Sequence, residues 1–270
     1  MTNRALQATF LTLTLTALLA PTAGAQERRF DCDSEFRSGD RARHCEMRDY
    51  TLPAASSVLN VDARPNGSIT VVGSSRSDIV VRARVVTNAD TDAEARQIAK
   101  QVQVSAAPGQ ISSSGPRAAR GNSGWSVSFQ VLVPMQTWLS LTSTNGSLTI
   151  QNVEGEIDFR TTNGAVRLSN LSGQVKGQTT NGAVEVEVEG PSWIGTGLDV
   201  QTTNGAVSIE VPTGYSGRLE AETRNGQLRI GFPVTVQGRL DRNLNVDLGS
   251  GGPPIRVRTT NGGVRVTERR

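Results

Sequence analysis

A Thr-Asn-Gly tripeptide, or a close variant, recurs at Asn145, Asn163, Asn181, Asn204, Asn225 and Asn261, with spacings of 18, 18, 23, 21 and 36 residues. A short recurring period marks an array of small units, none of which can bury an apolar face alone. Each Asn-Gly is followed by an alternating run (SLTI, AVRL, AVEV, AVSI, QLRI and GVRV), the two-residue period of a strand. The residues before each Asn also align. Six positions upstream stand Leu139, Ile157, Val175, Leu198, Leu219 and Ile255, and four upstream stand Leu141, Phe159, Gly177, Val200, Ala221 and Val257. Two upstream stand Ser143, Thr161, Thr179, Thr202, Thr223 and Thr259. Even offsets put these residues and the Asn on one face of a strand. Odd offsets put Arg160, Gln178, Gln201, Glu222 and Arg258 on the solvent face.

Each unit therefore reads as strand, Asn-Gly bend, strand and return loop, with glycine suiting the bend because it reaches positive φ without a Cβ clash. A meander of hairpins with type I′ turns would also use Asn-Gly. Equal inward residues at equal offsets favour stacking instead, with like residues about 4.8 Å apart in successive coils. The predicted fold is all-β: a β-solenoid, β-helix-like, with parallel coils of about 18 residues and one short helix in its N-terminal part.

Inward polar groups need partners, since an unpaired one costs about 1–3 kcal/mol. Asn145, Asn163, Asn181, Asn204, Asn225 and Asn261, with Ser143, Thr161, Thr179, Thr202, Thr223 and Thr259, are accordingly predicted to form structural ladders. Each side chain would bond to its equal in the next coil. A row of ligand-binding amides is the functional rival. The last spacing is twice 18, which predicts a degenerate coil at Asn243, with Val246 and Leu248 inward, Leu244 in the glycine slot and Asp241 in the Thr slot.

Toward the N-terminus, Asn66-Gly67-Ser68-Ile69-Thr70-Val71 repeats the signature, but Leu59, Val61 and Ala63 fall at odd offsets, so a bulge at Arg64-Pro65 is expected. Residues 79–86 alternate as a strand. Thr91-Asp92-Ala93-Glu94 forms a capping box ahead of Ile98, Ala99 and Val102, predicting a helix over about 92–102. Residues 106–124 read as a hairpin or loop, and Trp125, Val127, Phe129, Val131 and Val133 as the next strand. An open solenoid end needs a cap. The helix and the segment around Cys32–Cys45 are expected to cover one end, with the charges of Arg265, Glu268, Arg269 and Arg270 blunting the other.

Residues 1–25 read as a secretory signal: Arg4, an uncharged run from Ala5 to Ala20, then the small-x-small pattern Ala23-Gly24-Ala25. Four Thr dilute that run below what a bilayer span requires. The predicted organisation is a signal peptide (1–25), a disulfide-stapled segment (26–50) and one β-repeat domain (51–270), divided into 51–134 with the helix and 135–270 with the Asn-Gly coils. An exported chain with two cysteines predicts a Cys32–Cys45 disulfide, worth about 3 kcal/mol by loop closure. A metal held by Cys32, His44 and Cys45 is the rival, and it lacks a fourth ligand by spacing. No metal or other cofactor is predicted.

The features PNGSITVVG at 65–73, AEARQIA at 93–99, FQVLVP at 129–134 and TTNGAV at 161–166, 179–184 and 202–207 resemble a bacterial adhesin-like family with Thr-Asn-Gly β-strand repeats, itself a domain of unknown function. The resemblance covers about residues 45–268, and CEMRDYTLP at 45–53 is similar to the entry segment of exported members. It implies a solenoid surface protein with no established catalytic residues.

Without residues 1–25 the chain has 27 basic and 25 acidic residues, since Arg4 is the only charge removed, and so small an excess predicts no nucleic-acid partner. His44 is the only histidine, which disfavours a Ser-His-Asp site. Asp158, Glu185, Glu187 and Asp199 do not recur as a paired acid and base, so a polysaccharide-active β-helix enzyme is the weaker reading. The expected function is non-catalytic, adhesin-like binding of an envelope glycan or protein. Insertions around 188–197, 211–217 and 231–238 carry Trp193, Tyr215 and Phe232, a possible binding edge, although the same rings could instead close the core. Self-association through the solenoid ends is the alternative.

Overall fold

The structure, a computed structural model, describes residues 30–32, 41–54, 57–117, 123–233 and 242–269. The expected signal segment 1–25 lies outside them. The first half of the chain holds β1 (Ala42–Pro53), β2 (Leu59–Asp62), β3 (Ile69–Ser74), β4 (Asp78–Ala89), α1 (Asp92–Gln101), β5 (Gln103–Ala107), β6 (Gln110–Ser114) and β7 (Gly124–Pro134). Strand pairs joined by Asn-Gly bends follow: β8 (Leu139–Thr142) with β9 (Leu148–Gln151), β10 (Glu154–Asn163) with β11 (Val166–Ser169), and β12 (Ser172–Asn181) with β13 (Val184–Glu187). Next come β14 (Gly195–Asn204) with β15 (Val207–Pro212), β16 (Gly217–Asn225) with β17 (Leu228–Ile230), the single strand β18 (Asn243–Leu248), and β19 (Pro254–Asn261) with β20 (Val264–Arg269).

These strands build two ten-stranded sheets. The first runs β1-β4-β7-β3-β9-β11-β13-β15-β20-β17 and the second β18-β16-β19-β14-β12-β10-β8-β2-β6-β5. Each Asn-Gly coil gives one strand to each sheet, and like coils pair in parallel, with Val166 beside Leu148 and Val184, and Thr161 beside Thr179. The architecture is therefore all-β and solenoid-like, with one short helix. Inward residues from both sheets form one continuous core from Leu52 to Val266. Phe159 lies next to Gly177, whose missing side chain leaves room for the ring: a Cβ there would come within 2.5 Å of it.

The Ser/Thr column is buried, but its partners differ from those expected. Ser143, Thr161, Thr179, Thr202, Thr259 and Thr223 donate to the carbonyls of Gly67, Gly146, Gly164, Gly182, Gly205 and Gly262 in the neighbouring coil, at 2.7–3.0 Å, and not to one another. Serine at position 143 shows that the hydroxyl, and not the methyl, is needed. Thr179→Val should therefore destabilise by about 1–3 kcal/mol, because it strands the buried Gly164 carbonyl, whereas Thr179→Ser should cost much less. Urea denaturation of the two variants checks this.

The bend glycines are also there for another reason. Gly67, Gly146, Gly164, Gly182, Gly205 and Gly226 do not take positive φ. A Cβ on Gly146, Gly164, Gly182, Gly205, Gly262 or Gly226 would fall 1.9–2.1 Å from the carbonyl oxygen of the glycine stacked beneath it. The requirement is close backbone approach, not a left-handed torsion.

Chain order and stacking order part company at the C-terminus. β19 lies between β14 and β16, and β20 between β15 and β17, so the last coil sits inside the stack. Charge accounts for this. β19 places Arg256 between Asp199 and Glu220. Stacking β16 directly on β14 in the same register would set Asp199 against Glu220, and like charges directly opposite are destabilising. Arg265, Glu268 and Arg269 accordingly lie on an interior strand and do not blunt an end. Arg270 lies outside the described residues.

The degenerate coil expected at Asn243 is not formed. β18 runs antiparallel to β16, with Asn243 opposite Glu222 and Leu248 opposite Gly217, and so covers the edge of the second sheet. Leu244 explains the change, since no side chain fits the glycine column, and it is fully buried instead. Asp241 lies outside the described residues.

At the N-terminal end α1 packs on β4 and β1 of the first sheet, burying Ala95 and Ala99. Thr91 caps it by accepting from the Glu94 amide at 3.2 Å. Thr87 Oγ1 donates to the Ala95 carbonyl at 2.7 Å, and the Arg48 guanidinium reaches the carbonyls of Val102 and Ala99 at 2.7 and 3.0 Å. Residues 103–114 form the β5–β6 hairpin, and the register shift after Ala63 falls at a cis Arg64–Pro65 bond. Cys32 and Cys45 are disulfide-bonded, with Cα atoms 5.7 Å apart, and Arg84 stacks over the Phe30 ring at 4.9 Å.

Candidate binding face

The outer face of the second sheet carries the odd-offset side chains in two columns. One runs Ser140, Asp158, Lys176, Asp199, Arg256 and Glu220. Beside it run Thr142, Arg160, Gln178, Gln201, Arg258 and Glu222. Parity puts them there: the inward alternates are the apolar residues and the Ser/Thr column. Strand spacing then sets successive side chains of a column about 4.8 Å apart. Between the columns lies an open groove of about 400 Å³, lined from Ser140 and Thr142 across to Asp199 and Arg258.

Its C-terminal side is cross-linked. Arg258 donates to Asp199 at 2.6 Å, and Arg256 donates to Glu220 at 2.5 Å and to Asp199 at 3.5 Å. The hydrogen bond that Arg256 donates to Glu220, with the fields of Glu220 and Asp199, outweighs the effect of burial and holds the guanidinium charged more firmly than usual. In the middle the side-chain amides of Gln178 and Gln201 meet at 2.8 Å. Arg160, Lys176 and Asp158 on the N-terminal side are exposed.

Trp138 continues the outer face of β8, two residues before Ser140, and its side chain is 54% exposed. Val58 lies beside it in register and is also exposed, because Leu59 pairs with Leu139. Sequence reasoning passed over Trp138, although its position seven before Asn145 is an odd offset and so belongs to the solvent face.

The residues singled out from sequence lie elsewhere. The Asn side chains hydrogen-bond to one another in an unbroken row, in the order Asn66, Asn145, Asn163, Asn181, Asn204, Asn261, Asn225, at 2.7–2.9 Å. Asn145 through Asn261 are exposed and not inward, because the chain turns the corner at each Asn. Asn170 and Asn152, both at positive φ, make a second such bond of 2.9 Å in the return loops.

Trp193 and Tyr215 are in the core, only 5% and 4% exposed, and Phe232 is half-buried against it. The Trp193 indole donates to the Gly173 carbonyl at 3.0 Å. These two rings close the core under the return loops, so they offer no outward contact surface. Burial pushes the Tyr215 phenol up to about 12, with a weak opposing pull from the Trp193 backbone. Among the described residues its hydroxyl has no hydrogen-bond partner of acceptable geometry. A phenol whose pKa is raised from 10.0 by folding adds stability that is whole below pH 10 and is lost as pH climbs through about 12. Tyr215→Phe should therefore unfold at about the same urea concentration as the parent at pH 7 and should resist alkaline unfolding better, a difference that denaturation curves across that range will show.

His44 faces Glu46 at 3.3 Å, and among the described residues no three His, Cys, Asp or Glu groups are arranged to hold a metal. No described helix is long and apolar enough to cross a membrane.

Among solved structures the chain is similar to a cell-adhesion candidate from Clostridium sporogenes (11% identity, TM-score 0.46), matching over 85% of this chain and 100% of that one. An adhesin candidate from Bacteroides fragilis matches at 13% identity and TM-score 0.30, over 84% and 97% of the two chains. A lipid-binding candidate from Parabacteroides distasonis matches at 10% identity and TM-score 0.28, also over 84% and 97%. These likenesses are too remote to transfer a ligand. No curated protein sequence matches. The Toastrack DUF4097 family profile, by contrast, matches residues 59–267, from the first strand of the stack through the last, and the chain belongs to that family.

Proposed function

We propose that this is an exported, non-catalytic, adhesin-like protein that binds a cell-envelope glycan or protein through the outer face of its second sheet, with no cofactor. The supporting observation is the groove of about 400 Å³, whose lining comes from several parallel strands and ends beside an exposed tryptophan. Export agrees with the disulfide, which persists in oxidising compartments. We read residues 51–270 as one domain and the Asn and Ser/Thr columns as structural, since every member described has its partner within the stack.

Three carboxyls, none of which lines the groove, are held in their charged form. Asp62 is held below its ordinary pKa by Arg64, and Asp247 by Arg218. Burial pushes Glu46 up, but hydrogen bonds from Arg48 and His44 outweigh it. A general acid needs a raised carboxyl instead.

The test is retention of the disulfide-bonded chain on isolated envelope material. Trp138→Ala with Arg160→Ala should abolish it while leaving the unfolding transition unchanged. Full retention by this doubly substituted chain would remove the face from consideration. A second reading, self-association, rests on β17, an edge strand of only three residues. Concentration-dependent sedimentation would support that reading.

A further inference from the structure

We infer that the ligand of this face is an uncharged polysaccharide, lying along the groove across the coils with one sugar ring stacked on Trp138; this rests on the binding role proposed above. Three observations lead there.

The first is the kind of side chain present. Ser140, Thr142, Asp158, Arg160, Gln178 and Gln201 offer hydroxyl, carboxylate, guanidinium and amide groups, which together donate to and accept from sugar hydroxyls. An apolar peptide or an acyl chain would leave these groups without partners at a cost of about 1–3 kcal/mol for each one buried.

The second is charge. Cations and anions alternate along the column Asp158, Lys176, Asp199, Arg256 and Glu220. The two arginines nearest the C-terminal side are already paired to Asp199 and Glu220. A polyanion laid across the groove would meet Asp158 and Asp199 as well as Lys176 and Arg160, so the face offers it no continuous positive track. An uncharged chain meets no such conflict.

The third is spacing and shape. Equivalent polar groups repeat about every 4.8 Å across the sheet, close to the length of one pyranose unit in an extended glycan. At the end of the face Trp138 is 54% exposed beside Val58, an apolar platform for the C–H face of a sugar ring. Stacking of this kind contributes an increment on the order of tenfold in affinity.

The experiment uses the full disulfide-bonded chain in calorimetric titration with soluble uncharged glucans and mannan, and separately with alginate and hyaluronan as polyanions, at low and physiological salt. Binding of at least one uncharged glycan is expected. It should change little with salt, weaken by about tenfold in Trp138→Ala, and largely recover in Trp138→Phe. Polyanion binding that falls steeply with salt would overturn the inference and leave the binding face intact. The same holds if no glycan binds while Trp138→Ala with Arg160→Ala still releases the chain from an envelope protein. If neither glycans nor envelope material depend on the face, both readings fail together. Unchanged melting of each variant confirms that binding, and not folding, is being measured.

Discussion

Replacing Gly164 or Gly182 with alanine is expected to destabilise the protein by at least about 4 kcal/mol, among the largest losses a single methyl group can cause. A Cβ on Gly164 would sit 2.0 Å from the Gly146 carbonyl oxygen, and one on Gly182 would sit 2.0 Å from that of Gly164. Both obstacles are backbone atoms fixed by parallel pairing on either side of the bend, so no side chain can swing away to relieve the contact. Relief would require the coils to separate, and that would break the Thr179 bond to the Gly164 carbonyl and the Asn163–Asn181 bond together. Gly231→Ala is the control. A Cβ there would be 3.4 Å from its nearest neighbour, and the change should stay within about 1 kcal/mol. Comparable urea midpoints for Gly164→Ala and Gly231→Ala would show that the bends are not closely stacked.

Deleting residues 253–270 should do more damage than removing the last coil of an ordinary repeat protein. In a sequentially stacked array such a deletion only exposes a new end. Here β19 pairs with β14 on one side and β16 on the other, and β20 likewise joins β15 to β17. Without them, β16, β17 and β18 lose their link to the stack. Restoring it would set Asp199 against Glu220. The shortened chain should therefore lose cooperative unfolding and become open to protease throughout 213–252, with cleavage mapped by mass spectrometry. A chain that melts as one unit and resists cleavage there would show that β16 can dock on β14 after all.

Much of this was legible in the residues. The even offsets from each Asn named the inward positions, and Leu139, Ile157, Val175, Leu198, Leu219 and Ile255 are all buried. Thr91 and Glu94 announced the helix start. Chemically equal residues at equal offsets favoured parallel stacking over a meander, and a one-residue slip in that stack would turn every inward side chain outward.

What was missed has a common cause. Every coil carries Asn-Gly two residues after an inward Ser or Thr, so Asn261 fits beside Asn204 as well as Asn225 does, and the repeat is silent on which coil lies next to which. The deciding signal was in the variable column, where Arg256 complements Asp199 and Glu220. Asn243 misled because its neighbourhood matched the spacing, while Leu244 violated the one position that tolerates no side chain. The rings of Trp193 and Tyr215 drew notice by rarity, but rare aromatics in return loops have an open core flank to fill. Parity would have pointed to the exposed ring of Trp138 had it been carried seven residues back from Asn145.

The displaced final coil also bears on the timing of assembly. Asn204 bonds to Asn261, 57 residues later in the chain, while Asn225 must wait for that same residue before it can join the row. Stacking beyond 139–207 therefore waits for residues 254–269, and the strands that precede them in the chain can join only then. Closing so long a loop slows this step, so refolding should show a late phase in which 217–230 and 254–269 gain amide protection together.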